Sequence, residues 1–288
     1  AVLAYLLTQP RIMHFLNKYC QVKSISPLIS QWRGTTTGNL LLLIETTSEK
    51  KFVFKWFGDK KELTEIARLV SLHETYCTTI PKVYEVDERS CLMEYKKGVS
   101  LLDKIKEDEL MWVEGEAPII ASKLANMCKT STNKNYTNSD SSSILLRYER
   151  LISEFKEENI EQIIINTCLK FNENKEKGAL AHGDLNVGNL LVDEKDNIYL
   201  IDPKAAESNI YEFVRDVARY SMSMFVNIYD YSEVSITKSR DITQSFIASF
   251  INEFPPNDLF FEKLAFYQAN SFITFAYYPT NKDGLRMV

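Results

Sequence analysis

Ala181-His182-Gly183-Asp184-Leu185-Asn186-Val187-Gly188-Asn189-Leu190-Leu191, continued by Leu200-Ile201-Asp202-Pro203, is the stretch from which the rest of the chain can be read. Two short β-rich runs, Leu190–Val192 and Ile198–Ile201, are joined by Asp193–Asn197, a turn-rich hairpin connection. Around that hairpin stand a carboxylate at Asp184, an amide at Asn189 five positions on and a second carboxylate at Asp202 eighteen positions on. Oxygen ligands at the two ends of one hairpin can meet. A carboxylate with an Asn carbonyl is the hard-oxygen set that suits Mg²⁺, which keeps its other positions for water and phosphate oxygens. Asn189 and Asp202 are then the metal candidates, and Asp184 is left to face an acceptor hydroxyl, orienting it or taking its proton. Phosphoryl transfer asks for such an arrangement because its work is positioning and charge neutralisation, with little covalent chemistry for the protein.

The composition agrees with a cleft-bearing globular chain. The 288 residues are 45% hydrophobic, 12% aromatic and 25% charged, which excludes disorder and fibrous repeats and allows one large domain or two lobes. A net charge of −5 supplies no global basic field for nucleic acid or an anionic membrane, so neither is expected as a partner. No apolar run approaches the ~20 residues needed to span a bilayer, and no basic region followed by a long apolar core opens the chain. The five cysteines are scattered, odd in number and without a CxxC pair, and the three histidines stand alone. These counts argue against a disulfide framework or a structural zinc site and for reduced, mostly buried thiols in a cytoplasmic protein.

Periodicity divides the chain near residue 98. Val22–Gln31, Asn39–Thr47, Lys51–Phe57, Lys82–Glu85 and Cys91–Tyr95 read as strands. One helical pattern interrupts them, starting at Asp59 with Leu63, Ile66, Ala67 and Val70 in register and stopping at Pro81. After Gly98 helical spacing dominates, over Leu101–Leu110, Ala117–Met127, Leu145–Phe155, Ile160–Phe171, Ile210–Val226, Ile242–Phe254 and Leu259–Tyr277. Ser131–Ser143, polar and without apolar spacing, reads as a mobile surface loop. Ala1–Tyr19 reads as an amphipathic helix packed on the strand-rich half, with Pro10 placed to break it.

His182, Asp184 and Asn189 match the His, Asp and Asn of the kinase template His-x-Asp-x-x-x-x-Asn, which a later metal-binding Asp follows. His182–Asn189, HGDLNVGN, is similar to the HGDLxxxN loop of the aminoglycoside phosphotransferase and choline kinase-like family, relatives of protein kinases. Gly183, where protein kinases usually carry Arg, and Pro203-Lys204, where they carry Phe-Gly, favour a small-molecule kinase. The resemblance implies an α+β, two-lobed protein-kinase-like fold. A small antiparallel β-sheet lobe with one helix would cover residues 1–97, including a leading helix over 1–19; a larger, mainly α-helical lobe with the catalytic loop and substrate cleft would cover 98–288. It further implies ATP (or GTP) and Mg²⁺ as cofactors and Asp184 as catalytic base. The γ-phosphate would pass to a hydroxyl of a small molecule: a sugar, an amino alcohol, a glycated amine or an aminoglycoside.

The same resemblance assigns the N-terminal half. Lys55, ending Lys51-Phe52-Val53-Phe54-Lys55, stands where the family carries the lysine that contacts the α- and β-phosphates; an edge-strand lysine is the competing reading. Glu65 is its ion-pair partner by likeness to Glu-x-x-x-Leu-x-x-Leu, with Glu62 the alternative one turn earlier. Gly34, Thr35, Thr36 and Thr37 lie where kinases fold a loop over the phosphates, although the letters alone describe a hairpin turn equally well. Backbone groups of Glu94, Tyr95 and Lys96 fall at the adenine edge. His182 would support the loop from beneath, Asp216 would anchor its backbone, and Lys204 would either touch a phosphate or stay solvated. Few acids occur around the C-terminal helices (Glu212, Asp230, Glu253, Asp258, Glu262, Asp283), so polycationic aminoglycosides are not favoured. Two other readings remain: a non-catalytic pseudokinase that holds nucleotide, and a kinase of a macromolecular hydroxyl. Against the second, only a few residues separate Asp202 from the helix near Ile210.

Overall fold

The alternation in Lys51–Trp56 (KFVFKW) sends Phe52 and Phe54 to one side of a strand and Val53 and Lys55 to the other. The computed structural model describes residues 10–18, 21–28, 40–57, 70, 72–74, 79–87, 89–130, 132–136, 141–142, 144–145, 158–173, 176–179, 181–203, 213–232 and 234–277. The chain divides into two compact units, Ala1–Gly98 with Asp193–Ala205, and Val99–Val192 with Ala206–Val288.

In the first unit β1 (Val22–Pro27), β2 (Leu40–Thr46), β3 (Lys51–Trp56), β4 (Val83–Asp87) and β5 (Ser90–Glu94) form a five-stranded sheet ordered β1-β2-β3-β5-β4. Every pairing is antiparallel. Leu42 and Leu92 lie opposite Phe54, and Ile44 lies opposite Phe52, so the apolar residues share one face. Helix α1 (Pro10–Lys18) covers that face with Ile12, Phe15 and Leu16, spaced i, i+3, i+4. Phe15 meets Phe52 edge-on, with ring centroids 5.8 Å apart. Burying each such side chain contributes roughly 1.5–3 kcal/mol. Pro10 falls in the first turn of the described helix, where its missing N–H costs little; residues 1–9 and 19 lie outside the described residues. Of the helix expected after β3, the structure describes residues 70 and 72–74, with Leu72 fully buried.

The second unit begins with β6 (Val99–Ser100) and continues with α2 (Leu101–Lys106), α3 (Leu110–Thr130), β7 (Thr132–Tyr136), α4 (Glu158–Glu173), β8 (Glu176–Ala179) and β9 (Leu190–Val192). It ends with α5 (Phe213–Tyr231), α6 (Ile236–Glu253) and α7 (Phe260–Tyr277). Rings from the last three helices share a core: Phe250 and Phe260 stack 6.2 Å apart, and Phe213 packs 6.2 Å from Phe250. Three expectations change here. The helix expected over Leu101–Leu110 stops at Lys106, because Asp108 adopts a φ of 60° that a right-handed helix does not contain. Its successor starts at Leu110 and runs through Pro118, whose lost hydrogen bond is offset by burial of Ala117, Ile120, Ala121 and Leu124. Finally, Ser131–Ser143 is not wholly a loop: Thr132–Tyr136 pairs antiparallel with Glu176–Ala179. A backbone ladder needs no apolar side chains, so composition carried no sign of it. The helix expected over Leu145–Phe155 lies outside the described residues apart from residue 145.

Cys91, Cys128 and Cys168 are buried. Among the described residues no helix is long and apolar enough to cross a membrane.

The chain leaves β9 through a turn organised by Asp193. Its Oδ1 accepts from the N–H groups of Lys195 and Asn197, both at 2.8 Å, and its Oδ2 from Asn197 Nδ2 at 2.9 Å and the Tyr199 hydroxyl at 3.1 Å. Strand β10 (Ile198–Leu200) follows, and Leu200 N–H donates to the Thr79 carbonyl at 2.8 Å within the first unit. These bonds, the Asn197 side chain foremost, lower the Asp193 carboxyl from 3.8 to about 2. The ionised group therefore stabilises the turn fully above pH ~4, and the contribution is lost as pH falls through about 2. An NMR titration should place the Asp193 midpoint near 2; an ordinary carboxylate midpoint would show that the turn bonds are absent in solution.

Candidate active site

Lys55 sits on β3, the middle strand of the sheet, opposite Leu41 on β2 and Cys91 on β5. The edge-strand reading is thereby excluded. Strand alternation turns Lys55 away from the α1 core, yet the residue is only 5% exposed, so its ammonium needs a partner. It pairs with Asp202 Oδ1 and lies 4.8 Å from the Phe57 ring centroid. Asp202, two residues past β10, has a φ of 57°, a left-handed conformation that non-glycine residues seldom adopt. Such backbone persists where surrounding contacts determine it, and it recurs at functional sites. The Asp202 side chain is 44% exposed, so its carboxylate serves the lysine while part of it faces solvent.

The segment after β5 is also tied within this unit. Lys96 Nζ donates to Glu94 Oε1 at 2.7 Å and stands 4.6 Å from the Tyr199 ring centroid, while Tyr95 lies under the Lys51 ammonium at 6.0 Å. The Glu94 N–H donates to the Lys82 carbonyl at 2.8 Å. That N–H is committed to the sheet.

In the second unit one face of α5 grips the HGDLNVGN loop in sequence order. Asp216 takes the His182 N–H on Oδ2 and the Gly183 N–H on Oδ1, the latter at 2.9 Å. One turn on, Arg219 Nη2 contacts Asp184 Oδ1 at 2.5 Å. A further turn on, Ser223 Oγ accepts from the Val187 N–H at 3.2 Å. Asp216, Arg219 and Ser223 follow i, i+3, i+7 spacing, so a single helix face meets successive loop residues. Inside the loop, Asn186 Oδ1 accepts from the Gly188 N–H at 2.9 Å, and the Asn186 and Asn189 amides donate to the Asp184 carbonyl at 2.9 and 2.8 Å. His182 is buried and its Nδ1 accepts from the Asp184 N–H at 3.4 Å, a supporting place beneath the loop.

The site residues read from the sequence thus fall into groups. Lys55 meets Asp202, Asp184 meets Asn189, and Glu94 meets Lys96. Gly34, Thr35, Thr36, Thr37, Glu65, its alternative Glu62, and Lys204 lie outside the described residues. Arg219 carries no motif of its own, yet Asp216, Arg219, Ser223 and Asn227 recur at helical spacing on α5, and Asp216, Ser223 and Asn227 are buried, a sign of a face with polar work to do. The Asn189 Nδ2 donates to the Asp184 carbonyl; in the first unit, Asp202 carries a partly exposed carboxylate, an oxygen donor of the kind hard cations take.

No protein-family model matches this sequence, and neither does any curated protein. Solved structures do. An ethanolamine kinase from Plasmodium vivax superposes with a TM-score of 0.54 at 16% identity, over 88% of this chain and 75% of that one. Choline kinase LicA from Streptococcus pneumoniae gives 0.55 at 17% identity, over 92% and 87%. An amicoumacin kinase in complex with AMP-PNP, Ca²⁺ and Ami gives 0.58 at 12% identity, over 92% and 84%. At such identities the likeness defines the fold. The chain has the α+β, protein-kinase-like fold expected from its sequence, with an antiparallel-sheet unit and a mainly helical one, and its structural neighbours include choline and ethanolamine kinases.

Gly183 has a φ of 88°, which lets its N–H reach Asp216. Gly183→Ala should cost about 1–2 kcal/mol in denaturant unfolding; unchanged stability would mean that the loop does not need this conformation.

Proposed function

We propose that the protein is a phosphotransferase that moves the γ-phosphate of ATP, or GTP, to a hydroxyl of a small molecule. The observation that carries the reading is the loop gripped by α5, which holds Asp184 and Asn189 together with no freedom for the loop backbone to turn them away. The Lys55–Asp202 pair supports it from the nucleotide side. In this reading residues 1–97 carry the nucleotide, and residues 98–288 carry the catalytic loop and the helices that choose the acceptor. Neighbours with AMP-PNP bound, or named for small hydroxyl substrates, favour it as well.

Each residue then has a task. The Lys55 ammonium binds the α- and β-phosphates, held in turn by Glu65. Gly34, Thr35, Thr36 and Thr37 offer N–H and hydroxyl donors to the same phosphates. Backbone groups of Glu94, Tyr95 and Lys96 take the base edge. Asn189 and Asp202 would hold Mg²⁺, which when bound neutralises charge on the transferring group. Asp184 orients the acceptor hydroxyl and accepts its proton as the oxygen bonds to the γ-phosphorus and the bond to the β-phosphate bridging oxygen breaks. The scattered, odd-numbered cysteines accord with a reducing compartment such as the cytoplasm.

Asp184→Ala should lower acceptor-dependent turnover by roughly 10²–10⁴-fold with ATP affinity kept near the parent value. Turnover within a few-fold of the parent would remove Asp184 from the reaction. Nucleotide binding with no transfer, indifferent to this substitution, would identify a pseudokinase instead.

A further inference from the structure

The Asp184 carboxylate does not stand alone. Arg219 Nη2 lies 2.5 Å from its Oδ1, and the two side chains are 18% and 9% exposed. A charge-assisted contact in so dry a setting cancels most of the carboxylate's field at the point where an acceptor hydroxyl would dock. A hydroxyl within hydrogen-bond reach of Asp184 puts its own substituents within a few ångströms of the guanidinium. An ammonium on the neighbouring carbon would approach the guanidinium of that pair and gain no net attraction from the neutralised aspartate.

Several acids of the helices beyond the loop are committed elsewhere. Asp216 is spent on loop N–H groups. Glu253 pairs with Lys129, Glu262 with Lys170 and Asp241 with Arg240, all at half-exposed surface positions. Asp230 lies fourteen residues beyond Asp216 on α5, about 21 Å along the helix axis.

We propose that Arg219 sets the charge class of the acceptor: a neutral or anionic hydroxyl compound, such as a sugar, polyol or hydroxy acid, and not an amine with its ammonium beside the reacting hydroxyl. This rests on the phosphotransferase reading with Asp184 facing the acceptor. It departs from the ethanolamine, fructosamine, glucosamine and choline in the names of structural neighbours. The reaction is unchanged in its balance: the acceptor oxygen bonds to the γ-phosphorus, the bond to the β-phosphate bridging oxygen breaks, and the hydroxyl proton passes to Asp184. Arg219 acts through Asp184 and the acceptor's charge, as a specificity-determining residue.

The test measures Mg²⁺-dependent phosphate transfer from ATP and from GTP on matched acceptors. Suitable pairs are glucose with glucosamine, glycerol with 3-aminopropane-1,2-diol, and ethylene glycol with ethanolamine, with glycerate as the anionic member and Asp184→Asn as blank. We expect kcat/KM at least about tenfold higher for the neutral or anionic members, lost in the blank. Arg219→Gln should move the preference about tenfold toward the amines, chiefly through KM, and Arg219→Lys should keep the parental order. A purely structural role would lower every acceptor alike. Asp184-dependent turnover favouring the amines, or an unchanged preference in a folded Arg219→Gln protein, overturns the inference and leaves the phosphotransferase reading standing. Transfer to none of the acceptors by the parent protein overturns that reading, and the inference with it.

Discussion

A lysine in the middle strand of an apolar sheet has no route to water for its ammonium, and Lys55 resolves this by pairing with Asp202. The cost of burying a charge makes the pair a constraint on everything near it. The hairpin that delivers Asp202 must end in the right place, which the Asp193 turn and the Leu200–Thr79 bond secure. The backbone at Asp202 must also accept a left-handed φ of 57°. A sheet built for stability alone would carry an apolar residue at position 55. Breaking this pair takes a carboxylate from a cation that is only 5% exposed, which is costly.

The second constraint is the grip of α5 on the HGDLNVGN loop. Three side chains spaced one turn apart hold three successive parts of the loop, so the loop inherits the rigidity of the helix. That helix is in turn fixed by the ring stack of Phe213, Phe250 and Phe260. Core packing thereby reaches Asp184 through one rigid element. Sites supported this way keep their geometry within the narrow limits that transfer chemistry requires.

Much of this was legible because the chemistry is local. HGDLNVGN packs an acid, an amide and a required glycine into eight residues, and strand alternation around Lys55 follows from period two. The amphipathic character of the segment before β1 was also legible, and its described part sets Ile12, Phe15 and Leu16 against the sheet. What escaped depends on distant partners. Thr132–Tyr136 is a strand because Glu176–Ala179 lies beside it. The α3 helix runs through Pro118 because its buried face outweighs one lost hydrogen bond. Arg219 reads as one cation among many until the fold sets it against Asp184.

The most direct measurement is calorimetric binding of ATP with and without Mg²⁺ to the parent protein and to the Lys55→Ala, Asp202→Ala and Asp184→Ala proteins. The account predicts binding that tightens with Mg²⁺, a loss of roughly tenfold or more in affinity for Lys55→Ala, loss of the Mg²⁺ effect for Asp202→Ala, and little change for Asp184→Ala. No nucleotide binding by the parent, or binding indifferent to Lys55 and Asp202, would contradict it.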